Sequence, residues 1–452
     1  MRYERLGSVA RTGWPTSART ALVVCAGVVV TVLLIDRSVP PTVTLIGIAV
    51  SLGTYWWMVT AEERQSSLTL RSVVVALTVV FAAALMSAPR ESGDVWSYEI
   101  YGRMVAVHHV SPYRHVPAEF PGDPMYRLVS PVWRHTGSVY GPAFTALSAA
   151  VSPFAGSSAV RTRVLYQAMA ALAMAGALLL VWRRTRSPAA LAWLGLNPVI
   201  ALQVVNGGRN DALIGLGILG GILLVERGRM RMTGVVTGVA AAVKATAGLA
   251  GAGLAFWTWR TKGLRRAALL GGGMLATLGF AYALAGGTAA FGPLNHAAQQ
   301  ISQASIWSEP TRLGLPAVPT TLATLATAAV VGISLWRRTK DDAVEAGIAG
   351  PTAFLLAAPY VLPGYLAWVL PGAALHHRRT TARIVALQAT LLVGAYAVFR
   401  HGPPGLLGEA VTASTALLTP LVLVALLVFY LVQPRRSGRR APVPSGSGAP
   451  CG

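Results

Sequence analysis

Carboxylates are scarce in this chain, with 16 Asp and Glu against 38 Lys and Arg in 452 residues. Only three of the cations are lysine, and there are two cysteines. Cys25 lies inside the first apolar run and Cys451 in the terminal tail, so neither a disulfide framework nor a metal-ligand spacing is present. A Walker A motif, a Gly-rich strand-to-helix loop and a soluble stretch able to bind a nucleotide are also missing. A phosphorylated substrate would therefore be carried on a lipid, and no cofactor is expected, with assistance by a divalent cation left open.

What the chain has in abundance is apolar length. With 54% hydrophobic residues, 12% charged residues and a mean hydropathy of +0.55, it reads as an all-α polytopic membrane protein of about 12–14 transmembrane helices. A net charge of +22 suggests nucleic acid at first sight, but 26 of the 38 basic residues fall in short clusters between apolar runs. Such clusters mark cytoplasmic links and meet anionic lipid headgroups, so membrane lipids and not nucleic acid are the expected partners.

Thirteen apolar stretches run from 20–35 to 410–431, and the basic start followed by further spans reads as an uncleaved first helix. Both termini then lie in the cytoplasm, with 1–432 as one membrane domain and 433–452 as a disordered tail rich in Pro, Gly, Ser and Arg. The large first outer loop is 89–162 and a second is 286–317. Two stretches need special treatment. Residues 141–154 carry two prolines and are short, so they dip into the membrane or lie on it. Residues 233–259 have basic clusters at both ends and Gly238, Lys244 and Gly248 within, which suits a broken hairpin.

The chemistry-bearing residues gather on the outer side. Asp94 follows an apolar run and precedes Trp96, Tyr98 and Tyr101. It sits where a lipid-linked substrate meets an aqueous one, as a general base would, and equally where an Asp caps a helix starting near Val95. Residues 95–110 show a helix-like alternation that suggests an amphipathic helix on the membrane, with Arg103, His108 and His109 free for phosphate or merely solvated.

Asn206-Gly207-Gly208-Arg209-Asn210-Asp211, between two spans, is either a polar-head site or a hydrated turn. Lys244, isolated among alanines, needs a partner such as phosphate or else snorkels to a surface. Tyr360, Tyr365 and Trp368 turn the chain on the outer side, and His296 lies in the second outer loop. Both groups suit sugar contacts or an ordinary interface.

Asp94-Val95-Trp96-Ser97-Tyr98, Ser111-Pro112-Tyr113, Tyr140-Gly141-Pro142, Asn197-Pro198, Gly207 to Asp211, Lys244 in its alanine run and Pro363-Gly364-Tyr365 resemble, in that order, the actinobacterial polyprenol-phosphate-mannose-dependent alpha-1,6-mannosyltransferases of the GT-C class. The resemblance implies a GT-C bundle and an inverting glycosyltransferase. Its donor would be a polyprenyl-phosphate sugar, most naturally mannose, and its acceptor a cell-envelope glycan or glycolipid such as lipomannan, at the extracytoplasmic face of the plasma membrane. It also implies that Asp94 is the catalytic base.

On this reading Arg209, Lys244, Arg103 and Arg114 meet the departing phosphate. Tyr98, Tyr113, Asn210, Asp211, Tyr365 and His296 orient the sugars. A transporter or flippase for a lipid-linked sugar is the rival, since intramembrane charge and broken helices also mark carriers.

Overall fold

The structure, a computed structural model, describes residues 17–297, 299–308, 318–340 and 342–433, apart from the side chains of 295–297. Residues 434–452 of the expected tail lie outside the described residues. So does the side chain of His296, one of the expected sugar contacts.

Every regular element described is helical. The chain runs α1 (Ala18–Leu34), α2 (Pro41–Gln65), α3 (Leu70–Met86), α4 (Asp94–Ala106), α5 (Pro142–Ala155), α6 (Ala159–Thr185), α7 (Pro188–Gly195), α8 (Asp211–Glu226), α9 (Met230–Val243), α10 (Gly248–Lys262) and α11 (Leu264–Leu284). It continues through α12 (Gly292–Ala297), α13 (Thr320–Arg338), α14 (Ala343–Ala357), α15 (Leu370–Ala374), α16 (Thr380–His401) and α17 (Gly405–Val432). Starts are written locally. Ser17, Thr69, Ser158, Ser187 and Asp342 each accept a backbone N–H from the first turn of the helix that follows.

Among the described residues six helices are long and apolar enough to cross a membrane: α2, α6, α11, α13, α16 and α17. The bent pair of α7 and the π-helical turn Val199–Val205 makes a seventh. The remaining expected spans resolve into shorter apolar helices. α1 and α3, at 17 residues, sit at the lower limit for a hydrocarbon core about 30 Å thick.

The 233–259 stretch breaks at Lys244, whose φ of −155° and ψ of 122° are extended. It yields helices of 14 and 15 residues, each too short to cross alone. α5, with 14 residues, is likewise short and packs on α4 and α9.

One expectation is corrected. The segment after Asp94 is not an amphipathic helix with a wet face, because nine of the 13 residues of α4, Arg103 included, are buried. Val95 and Tyr98 join the main core, while Ile100, Tyr101 and Met104 pack with Met125 and Val129 of the following loop. The alternation of aromatic and polar residues reflects packing on α5 and on the loop 107–139, which spacing cannot distinguish from a lipid surface.

The helices share one polarity. α6 ends in Arg183 and Arg184, α8 runs from Asp211 to the cluster Arg227–Arg231, and α9 returns from that cluster to Lys244. The motifs holding Asp94, Asn206 to Asp211 and Lys244 thus collect at one end of the bundle, and the basic clusters, with partners such as Glu63, Glu226, Asp342 and Glu345, at the other. At the basic end Arg260 lies over Trp336 and Arg338 over Tyr430, cations against interfacial rings.

Candidate active site

The C-terminal end of α3 is tied to the π-helical turn by one amide. Asn206 is fully buried, accepts the Arg90 N–H at 2.9 Å and donates to Ser87 Oγ at 2.8 Å and to the Ala84 carbonyl at 3.2 Å. Gln167 of α6 donates to the Asn206 and Ser87 carbonyls. These bonds fix the short link 89–93 that delivers Asp94. Asn206→Ala is expected to lower the unfolding free energy by about 1–3 kcal/mol through the orphaned Arg90 and Ser87 groups, seen as a lower melting temperature in detergent.

Past Asn206 the chain must turn sharply beneath α4. Gly208 has φ of +59°, and a Cβ there would stand 2.7 Å from Val95 Cγ1. Glycine alone meets both demands. The turn presents Arg209 and starts α8 at Asp211, while Asp94 starts α4. Each carboxylate occupies a first helical turn, where backbone N–H groups favour negative charge. Asp94 does not cap its helix. Gly93 holds the cap position, and the carboxylate turns instead toward Arg209.

The result is a line of alternating charge. Asp94 Oδ2 lies 3.5 Å from Arg209 Nη1, which lies 3.8 Å from Asp211 Oδ2, and Asp211 Oδ1 is 3.4 Å from Lys244 Nζ. Asp211 also accepts the Trp368 indole N–H at 2.7 Å. Lys244 does not snorkel. Its ammonium sits 3.7 Å from the Tyr365 ring centroid and 5.1 Å from that of Trp368, and those two rings stack at 4.8 Å.

Tyr365 and Trp368 come from the turn Pro363–Trp368, and Lys244 from the break between α9 and α10. The Gly141 N–H donates to the Val243 carbonyl at 2.9 Å and so holds the start of α5 against that break. Tyr140 is thereby brought to the site.

Two cavities flank Asp94. An aromatic chamber of about 370 Å³ is lined by Asp94, Tyr98, Tyr140, Lys244, Tyr365 and Trp368 among others. A polar chamber of about 440 Å³ lies against Asp94, Ser97, Gln203, Arg209 and Arg400. Both volumes suit a small polar ligand.

The remaining candidates divide. Tyr98 is buried in the aromatic wall, edge-on to Tyr140 at 4.9 Å and Phe144 at 4.7 Å, and its hydroxyl donates to Asn210 Oδ1 at 3.3 Å. Asn210 is thus a partner of that wall, fully buried and with no partner for its Nδ2 among the described residues. Tyr113 bonds Thr145 Oγ1 and the Tyr140 carbonyl, and its ring faces a separate groove beside Pro142 and Phe280. Arg209 lines the polar chamber and not the aromatic one, held between two carboxylates.

Arg103 and Arg114 are not at either cavity. Arg114 is exposed on its loop. Arg103 is bound by Asp123 at 2.8 Å and by the Gly156 carbonyl at 2.8 Å, with His108 on the same carboxylate at 2.8 Å. A cation so engaged serves the loop's architecture. Burial alone would raise the Asp123 carboxyl, but the Met125 N–H, Arg103 and His108 outweigh it and hold the group below its ordinary 3.8. A carboxyl depressed on folding stabilises above its unfolded value and loses that contribution as pH falls through the folded one. Pepsin cleavage within 107–135 is therefore expected to accelerate as pH drops below 3.8.

Sequence reasoning missed Trp133, which lines both chambers, and Gln203. Trp133 carries no signal in its loop. Gln203 does, as a lone amide in an apolar run, which at membrane depth points to function.

A family model described as alpha-(1->6)-mannopyranosyltransferase, N-terminal domain, matches residues 7–261. That range holds Asp94, Arg209, Asp211 and Lys244. The chain is 34% identical over 196 residues to alpha-(1->6)-mannopyranosyltransferase A of Mycobacterium tuberculosis, covering 41% of this chain and 36% of that protein. It is 28% identical over 208 residues to the Corynebacterium glutamicum protein of the same name, covering 44% of this chain and 41% of the relative. The chain thus spans about two fifths or less of the curated relatives it matches.

Proposed function

Since the chain belongs to the alpha-(1->6)-mannopyranosyltransferase family, we propose that it transfers mannose from a polyprenyl-phosphate donor to a cell-envelope glycan or glycolipid on the extracytoplasmic face. The observation that carries this reading is the convergence of Asp94 and Lys244 on one aromatic-walled chamber, joined through Arg209 and Asp211. A base and a cation facing one space suit a displacement that takes a proton at one atom and releases a phosphate at another.

In the proposed step Asp94 accepts the proton of an acceptor hydroxyl. The freed oxygen forms a bond to the anomeric carbon, while the bond from that carbon to the phosphate oxygen breaks and its electron pair leaves with the polyprenyl phosphate. One displacement inverts the centre. Lys244 faces the departing phosphate, and Tyr365, backed by the buried Trp368 ring, forms part of the wall against the sugar. Arg209 sets the Asp94 and Asp211 carboxylates in place. Arg209 therefore acts on the base and not, as first expected, on the phosphate. No resident cofactor or metal is invoked, because Lys244 supplies the positive charge.

The extracytoplasmic orientation is supported by the opposed ends of the bundle. The basic clusters lie where the positive-inside rule puts the cytoplasm, and the site lies at the other end. A carrier for the same lipid would also hold charge within the membrane. Radiolabelled polyprenyl-phosphate mannose and an alkyl mannoside, given to the purified protein in proteoliposomes, decide the matter. A new mannoside is expected, and movement of label across the bilayer without product would overturn the proposal.

A further inference from the structure

The polar chamber differs from its neighbour in the chemistry it offers. It is bounded by the link 91–94, by Ser97, by Gln203 and Arg209, and by Tyr396 and Arg400 at the end of α16. Gln203 is 3% exposed and its amide has no hydrogen-bond partner among the described residues. Nε and Nη1 of Arg209, at 4% exposure, are also without hydrogen bonds. The two buried Arg209 nitrogens carry an unmet desolvation cost and Gln203 adds an amide at the chamber wall, so these groups call for a ligand that supplies donors and acceptors.

The charges of this chamber offset one another. Glu91 is 2.9 Å from His401 and 3.8 Å from Arg400, which itself donates to the Arg90 carbonyl at 2.9 Å. Asp94 faces Arg209. Among the described residues Arg400 faces Glu91 and Arg209 faces both Asp94 and Asp211, whereas Lys244 in the aromatic chamber has Asp211 alone and shares it with Arg209. A neutral polyhydroxylated molecule fits here better than a phosphate does. Inversion also requires the nucleophile to approach opposite the leaving group, and Asp94 and Trp133 are common to both chambers.

We infer that the polar chamber is the acceptor subsite, in which Gln203 and Ser97 hold the hydroxyls of a neutral sugar so that one of them faces Asp94. This rests on the transfer reading above. Gln203 and Ser97 are positioning residues for the acceptor, and the donor occupies the other side of the carboxylate.

The test is steady-state kinetics with octyl α-mannoside as acceptor and a short-chain polyprenyl-phosphate mannose as donor. Gln203→Met keeps the length of the side chain and removes its polar atoms, and it is expected to raise the acceptor KM about tenfold, the scale of a lost hydrogen bond, with the donor KM within twofold. Ser130→Trp, at an exposed position on the chamber wall, avoids any question of core folding. It is expected to cut transfer at least tenfold, while binding of a short-chain polyprenyl phosphate by calorimetry stays within twofold.

A rise in donor KM with unchanged acceptor KM, or no change in either for both variants, would overturn the assignment while the wild-type transfer stood. Absence of product from the wild-type protein would instead remove the transfer reading and this subsite with it.

Discussion

Asp94→Asn is expected to leave the protein folded and inserted while transfer falls by about two to four orders of magnitude, the usual loss when a general base is removed. The substitution preserves size, and Asn is a good residue near a helix start, so α4 should form as before. It removes the acceptor of the proton. It also removes the charge that faces Arg209 at 3.5 Å, leaving that guanidinium with Asp211 alone. Initial rates of mannoside formation measure the first effect, and the unfolding temperature in detergent measures the second. A variant that turns over at near wild-type rate would take Asp94 out of the reaction.

Lys244→Met is expected to be the second most damaging change, with a fall of about 10²–10³ in kcat, the range seen when a group stabilising developing negative charge is deleted. Methionine fills the volume beside Tyr365 and Trp368 without a charge. The loss should appear mainly in kcat, since the charge on the phosphate grows as the bond to the sugar breaks. Asp211 adds a second signature: without the ammonium it keeps the Trp368 N–H at 2.7 Å and the more distant Arg209 at 3.8 Å. Lys244→Arg, which restores the charge but not the compact ammonium, is expected to recover part of the rate. A Lys244→Met enzyme whose rate stayed within tenfold would sink the proposed role.

The fold was legible to the extent that it depends on runs of apolar residues and on punctuation. The break at Lys244 showed in Gly238 and Gly248, and the shortness of α5 showed in its two prolines. The union of Asp94, Arg209 and Lys244 was an inference from order along the chain, because residues 94, 209 and 244 meet only once α4, α8 and α9 have packed.

Packing also explains what was not legible. Arg103 follows Tyr98 by five residues and resembles any other outer cation, yet it is claimed by Asp123, 20 residues on. Nothing local announces that pairing. The buried face of α4 had the same cause, since a loop folded back over a helix leaves no periodicity of its own. Trp133 belonged to that loop and escaped notice with it.

The row of four charged side chains also bears on what the pocket experiences during a turnover. Two anions and two cations sum formally to zero, and a phosphodiester donor brings one negative charge. When the carboxylate at 94 takes up a proton, the protein side of the ledger gains one positive unit as the departing monoester gains one negative unit. The enclosed volume would thus carry the same total from the bound substrates to the products. In a setting of low dielectric constant, where uncompensated charge is worth many times its value in water, the proposed transfer would then need no counter-ion to enter the chamber with the substrates.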